Sequence, residues 1–125
     1  MGKKVFMTEK APKAIGPYVQ ATEANGNIFV SGQLGIDMST GQLGVDVVEQ
    51  AKNSLRNMEQ ILLAAGSDKT KVLKCVIFLT DMNDFAAVNE VYAEFFGTEF
   101  PARSCVAVAA LPKSAKVEIE CIATV

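Results

Sequence analysis

At 125 residues, 50% apolar and 21% charged, the chain has the size and composition of one domain, spanning 1–125, with a core of its own and no room for a second. Twelve Lys and Arg against fourteen Asp and Glu leave a formal net charge of -2, without the basic footprint of a general nucleic-acid binder, so nucleic acid is not the expected partner. Histidine is absent, which excludes Ser-His-Asp and Cys-His catalysis, histidine-based zinc sites and any imidazole base; proton transfer falls to Glu, Asp, Tyr, Cys, Lys or water.

A short first strand is predicted near Val5 and Phe6, and Ala11 to Pro17, with two prolines and a glycine, reads as an ordered loop. Tyr18 to Thr22 and Asn27 to Ser31 are β-rich runs flanking Asn25-Gly26, a pair suited to the positive φ angles of a type I′ turn, and together they predict a β-hairpin. From Gly32 to Val45, further glycines with Asp37, Ser39 and Thr40 predict a loop or a short extra hairpin. Asp46 and Glu49 have capping-box spacing, and Val47, Val48, Ala51, Leu55, Met58, Ile61 and Leu62 form one helical stripe that stops before Gly66. Val72 to Leu79 predicts a strand. Asn83 and Asp84 are the candidate caps of a second helix, in which Phe85, Val88, Tyr92 and Phe95 share a face and which stops at Gly97. Pro101 to Ala109 reads as the next strand, so Val72 to Ala109 is a βαβ crossover with parallel neighbouring or near-neighbouring strands. Leu111 to Ser114 then turns the chain into a last strand, Lys116 to Thr124.

Each helix carries one apolar stripe, so both are expected side by side on one face of a mixed sheet, and the other face needs a cover. In the last strand Val117, Ile119, Cys121 and Ala123 alternate with Lys116, Glu118, Glu120 and Ile122; in the strand before it Ala102, Ser104, Val106 and Val108 alternate with Arg103, Cys105, Ala107 and Ala109. A face carrying Arg103, Cys105 and Glu118 among small apolar residues is either solvated or packed on another subunit, and oligomerisation better explains so apolar a small chain. Cys75, Cys105 and Cys121 lie in apolar runs without CxxC spacing, as reduced thiols of a cytosolic compartment do. The longest apolar run, Val106 to Leu111, is far too short to span a bilayer, no secretory segment is visible, and Phe6 stands where a myristoylation signal wants Ser or Thr. A soluble cytoplasmic protein is expected.

The segments Ala14-Ile15-Gly16-Pro17-Tyr18, Ser31-Gly32-Gln33, Asp81 to Phe85 with Val88-Asn89 and Tyr92, and above all Pro101-Ala102-Arg103-Ser104-Cys105-Val106 followed by Val117-Glu118-Ile119-Glu120, resemble the YjgF/YER057c/UK114 family and, within it, the RidA subgroup of reactive intermediate or imine deaminases. The match runs in consistent order from Ala11 to Thr124, with a slightly short stretch between Phe96 and Phe100. The resemblance implies a chorismate-mutase-like α+β fold and a homotrimer with helices outside, sheets inside and three sites in the clefts between subunits. It also implies hydrolysis of 2-iminopropanoate, 2-iminobutanoate and related imino acids, released by pyridoxal-phosphate enzymes, to 2-keto acids and ammonia. No cofactor is implied, neither pyridoxal phosphate nor metal.

An imino acid carries a carboxylate beside its electrophilic carbon, and a guanidinium grips a carboxylate through two parallel N–H bonds. Arg103 is the candidate clamp; as a lone strand arginine it would instead pair with Glu118 or Glu120. The resemblance gives Glu118 the holding of water and the transfer of a proton, against an ordinary exposed charge, and leaves Glu120 with that ordinary reading. At Cys105 it implies a site role through the backbone carbonyl and N–H, the thiol being a small apolar filler because no histidine or adjacent lysine is there to lower its pKa. Tyr18 is a site wall with a hydroxyl, or a hairpin aromatic on the sheet; Gly32 is a close approach of backbone to ligand, or a bulge; Asn89 is a substrate-binding amide, or a solvated one on the polar side of the second helix. Two other activities come with the family: a holdase covering apolar client segments, and a ribonuclease or translation inhibitor, the latter opposed by the net charge and the missing histidine.

Overall fold

The structure, a computed structural model, describes residues 2–125. In chain order the elements are β1 (Lys4–Phe6), β2 (Ala21–Ala24), β3 (Asn27–Leu34), β4 (Ile36–Asp37), β5 (Gln42–Leu43), α1 (Val47–Ala64), β6 (Val72–Leu79), α2 (Phe85–Phe96), β7 (Ala102–Ala107) and β8 (Val117–Thr124). Six strands form one mixed sheet in the order β1-β2-β3-β8-β6-β7, while β4 and β5 pair separately as the short extra hairpin. All neighbours in the large sheet are antiparallel except β6 and β7, which run parallel because α2 crosses between them.

Local chemistry sets the element ends. Asn25 and Gly26 both have positive φ, 52° and 81°, and turn β2 into β3. The Asp46 carboxylate accepts from the Glu49 N–H at 2.9 Å and starts α1, and Gly66, at φ 82°, follows its end. The second helix begins differently from the expectation: Asp81, not Asn83 or Asp84, takes the capping bond, from the Asn83 N–H at 2.9 Å, and a 3₁₀ turn over Met82–Asp84 leads into α2. Tyr18 also lies outside the hairpin strand, which starts at Ala21. Besides the bond from the Ser31 N–H to the Gln20 carbonyl at 2.9 Å, the buried Gln20 side chain ties this segment down, accepting from the Thr8 N–H at 2.7 Å and donating to the Pro12 carbonyl at 2.8 Å.

Both helices pack on one sheet face. Ala51, Leu55, Met58, Ile61 and Leu62 of α1 and Val88, Tyr92 and Phe96 of α2 meet Ile28, Cys75, Ile77, Leu79, Val117, Ile119 and Cys121 there. Burial of each large aliphatic side chain contributes on the order of 1.5–3 kcal/mol. A second stripe of α1 is buried although it is polar. Ser54 donates to the Gln33 carbonyl at 2.6 Å, Asn53 to Gly35 at 3.2 Å and Asn57 to Ile36 at 2.9 Å. These carbonyls follow the bulge in β3, where the β3–β8 register shifts between Val30 and Gln33 before pairing resumes at Gln33 and Leu34.

The register corrects one expectation about the sheet faces. Cys75 lies opposite both Arg103 and Cys121, and Ile77 opposite both Cys105 and Ile119, so Arg103 and Cys105 belong to the helix side. Phe78 lies opposite Val106 and Glu118, so Glu118 is on the open side, with Phe29, Val106, Glu120 and Ile122. Arg103 and Glu118 therefore sit on opposite faces of the sheet. Among the described residues, no helix is long and apolar enough to cross a membrane.

Candidate active site

The first group of candidate residues forms around Arg103 at the β7 edge. Its half-buried guanidinium lies 5.4 Å from the Phe85 ring centre and 5.0 Å from that of Tyr92, and its Nη1 donates to Asn89 Oδ1 at 2.6 Å. Phe85, Asn89 and Tyr92 are four and three residues apart, which puts them on one face of α2 and makes that face a cradle for the cation. Asn89 is thus not on a solvated side of the helix. The ion-pair alternative for Arg103 does not hold either, because the one ion pair among the described residues joins Lys4 to Glu23. A hollow of about 350 Å³ opens over the group, lined by Asn89, Tyr92, Ala93, Phe100, Pro101 and Arg103.

Beneath the guanidinium, the Tyr92 hydroxyl is buried without a hydrogen-bond partner, and burial, with Cys75 beside it, pushes the phenol pKa upward. Burial raises the Cys75 thiol to about 11, and it raises Cys121 and the half-buried Cys105 as well, with Arg103 opposing the shift at Cys105. These are protonated, poorly nucleophilic thiols. β7 is an edge strand, so alternate backbone N–H and C=O groups along it are free of the ladder, as a backbone role at Cys105 requires.

The second group lies on the open side, around a cavity of about 670 Å³ whose wall includes Tyr18, Gly32, Gln33, Pro112, Lys113 and Glu118. Gly32 sits in the bulge, and the side chain it faces closely is Glu118. A Cβ there would fall 2.8 Å from Glu118 Cδ, so the missing side chain is what leaves room for the carboxylate. Desolvation first, and the neighbouring Glu120 second, raise the Glu118 pKa above the usual carboxylate range. Within one chain the structure brings Arg103, Asn89 and Cys105 together, and separately Tyr18, Gly32 and Glu118. Sequence reasoning missed Phe85 and Tyr92 as supports of Arg103, although their spacing around Asn89 carried the signal.

Residues 8–125 match the family described as endoribonuclease L-PSP, the YjgF family. The human 2-iminobutanoate/2-iminopropanoate deaminase is 51% identical over 122 residues, covering 97% of this chain and 89% of that protein. Among solved structures, Escherichia coli TdcF with bound serine superposes with a TM-score of 0.93 at 46% identity, covering 98% of each chain. The Escherichia coli YjgF gene product superposes with a TM-score of 0.93 at 47% identity, covering 97% of this chain and 98% of that one. An α+β sheet backed by two helices is the fold of this chain, with an arginine cradle and a separate glycine–glutamate cavity as its candidate site. The chain belongs to the YjgF, or endoribonuclease L-PSP, family.

Proposed function

We propose that this chain is a 2-iminobutanoate/2-iminopropanoate deaminase. It works without a cofactor as a homotrimer, and each site joins the Arg103 group of one copy to the Tyr18–Gly32–Glu118 group of the next. The observation that carries the reading is the preset guanidinium. Asn89 takes one arm, Phe85 and Tyr92 hold the plane, and no acidic side chain competes for the charge. The remaining N–H donors meet the carboxylate of an imino acid in pairs.

With the carboxylate held, C2 of the imine is oriented for attack. Water adds to C2, and the C=N double bond becomes a carbinolamine. A proton from Glu118 to nitrogen lets the C–N bond break, ammonia leaves, and the hydroxyl proton returns to the carboxylate as the C=O bond forms. The raised pKa of Glu118 suits a group that both gives and takes a proton. Two features support the intersubunit arrangement. The two groups lie on opposite sheet faces of one copy, and the open face carries apolar side chains, Phe29 at 46% and Val106 at 43% exposure, around Glu118 and Glu120. The free thiols of Cys75, Cys105 and Cys121 fit a reducing compartment such as the cytoplasm.

The test feeds the purified protein with imine made in place by threonine dehydratase and follows 2-ketobutanoate release. Wild type should accelerate release. Arg103→Ala should lose about a hundredfold or more, because each charge-assisted hydrogen bond contributes about 1.5–3 kcal/mol, and Arg103→Lys should recover little. Release at the uncatalysed rate in the presence of wild type would remove the deaminase reading.

A further inference from the structure

We propose that the cavity of Tyr18, Gly32 and Glu118 is built for imino acids that carry a second carboxylate, bound by Lys13 and Lys113; this rests on the imine hydrolysis proposed above. The cavity, of about 670 Å³, is one copy's share of the proposed site. Its wall carries two cations, Lys13 and Lys113, against one carboxylate, Glu118. Neither lysine is ion-paired, since Lys4–Glu23 is the one ion pair among the described residues. In the proposed site Arg103 of the neighbouring copy takes the carboxylate next to the imine carbon. The lysines remain for an anionic side chain.

Both lysines project from backbone that is held in place. Lys13 follows Pro12, whose carbonyl accepts from the Gln20 side chain at 2.8 Å, and Gln20 is 3% exposed. Lys113 and Ser114 both have positive φ, 59° and 57°, a conformation that non-glycine residues enter only where the surroundings enforce it. What enforces it follows directly in the chain: Ala115, 1% exposed, closes the turn with a bond to the Pro112 carbonyl at 3.1 Å, and the Lys116 N–H donates to Gln50 Oε1 at 2.8 Å. The strained turn thereby places a cation on the cavity wall. Ammonium groups on flexible stems can meet a carboxylate at more than one chain length, which suits 2-iminosuccinate and its one-carbon-longer homologue. The reaction is unchanged: water adds to C2, the C–N bond breaks, and the products are the 2-oxo dicarboxylate and ammonia, with no oxidant or reductant consumed.

The experiment generates 2-iminosuccinate from aspartate and 2-iminobutanoate from 2-aminobutyrate with flavin-dependent amino-acid oxidases, and measures kcat/KM for each imine. It compares wild type with Lys13→Gln/Lys113→Asn, asparagine being the residue that best tolerates the left-handed conformation at 113. Wild type should favour the dicarboxylic imine by about tenfold, and the double variant should lose about that factor in the ratio, the scale of partly solvated ion pairs. Matching melting curves show that the double variant is folded. A wild-type ratio at or below one, or a ratio unmoved in the double variant, overturns the inference while 2-iminobutanoate hydrolysis leaves the deaminase reading standing. Failure of wild type to hydrolyse either imine overturns both.

Discussion

Nη1 of Arg103 donates to Oδ1 of Asn89 across 2.6 Å, so the amide of α2 occupies one arm of the guanidinium and leaves the other donors for a ligand. Asn89→Asp puts a carboxylate on that arm. The added charge competes for the same cation as a substrate carboxylate, and KM for 2-iminobutanoate should rise about tenfold with a smaller change in kcat. Steady-state kinetics on folded protein measures the split. An unchanged KM would mean that the guanidinium does not bind the substrate.

Gly32 and Glu118 test the second group in the same way. A methyl at position 32 would fall 2.8 Å from Glu118 Cδ, and the carboxylate, at the end of a flexible side chain, moves more easily than the strand. Gly32→Ala should therefore lower kcat about tenfold or more with a stability change below about 1 kcal/mol. Gly35→Ala is the contrast. Its Cβ would land on the Gln50 backbone, which cannot swing aside, and the expected loss is about 2–4 kcal/mol by thermal denaturation.

The raised pKa of Glu118 has consequences of defined sign. In the folded state the carboxyl keeps its proton to higher pH than in the unfolded chain, so its contribution to stability is greatest below the ordinary value of 4.5 and declines as pH rises through the raised value. Because the protonated carboxyl is the form that gives its proton to nitrogen, the alkaline limb of the kcat profile should accordingly lie above the usual glutamate range. Glu118→Gln should abolish that limb, lower kcat about a hundredfold and raise the melting temperature near neutral pH. A limb that survives the substitution would assign the proton transfer elsewhere.

Burial holds the Cys105 thiol protonated, and a backbone role survives removal of the sulfur. Cys105→Ala should keep at least about half of wild-type turnover, given that small volume changes at partly buried sites are tolerated. Complete loss in a folded variant would point to thiol chemistry.

Where local chemistry decides, the sequence was legible: Asn25-Gly26 marked the hairpin, Asp46 the start of α1 and Gly97 the end of α2. It was not legible where a distant partner decides. In β7, Arg103 aside, neither alternating set is the more apolar, so the pattern alone could not tell that Arg103 and Cys105 turn toward the helices; the Phe85–Asn89–Tyr92 face of α2 settles it. The apolar stripe of α1 did not reveal that Gln50, Asn53, Ser54 and Asn57 are buried too; they are, because Ser54, Asn53 and Asn57 donate to the carbonyls of Gln33, Gly35 and Ile36, and Gln50 to that of Gly44. Arg103, Asn89, Glu118 and Gly32 were nameable in advance through the family motif. Their division into two groups on opposite sheet faces required the strand register.

That division makes the intersubunit site testable by mixing two inactive proteins, Arg103→Ala and Glu118→Gln, unfolded and refolded together at equal amounts. If each site takes Arg103 from one copy and Glu118 from the next, about a quarter of the sites in randomly assembled trimers contain both native residues, and imine hydrolysis should return to about that fraction of wild type. Activity in the refolded mixture no higher than that of the two variants refolded apart would place both residues' work within a single copy and contradict the composite site.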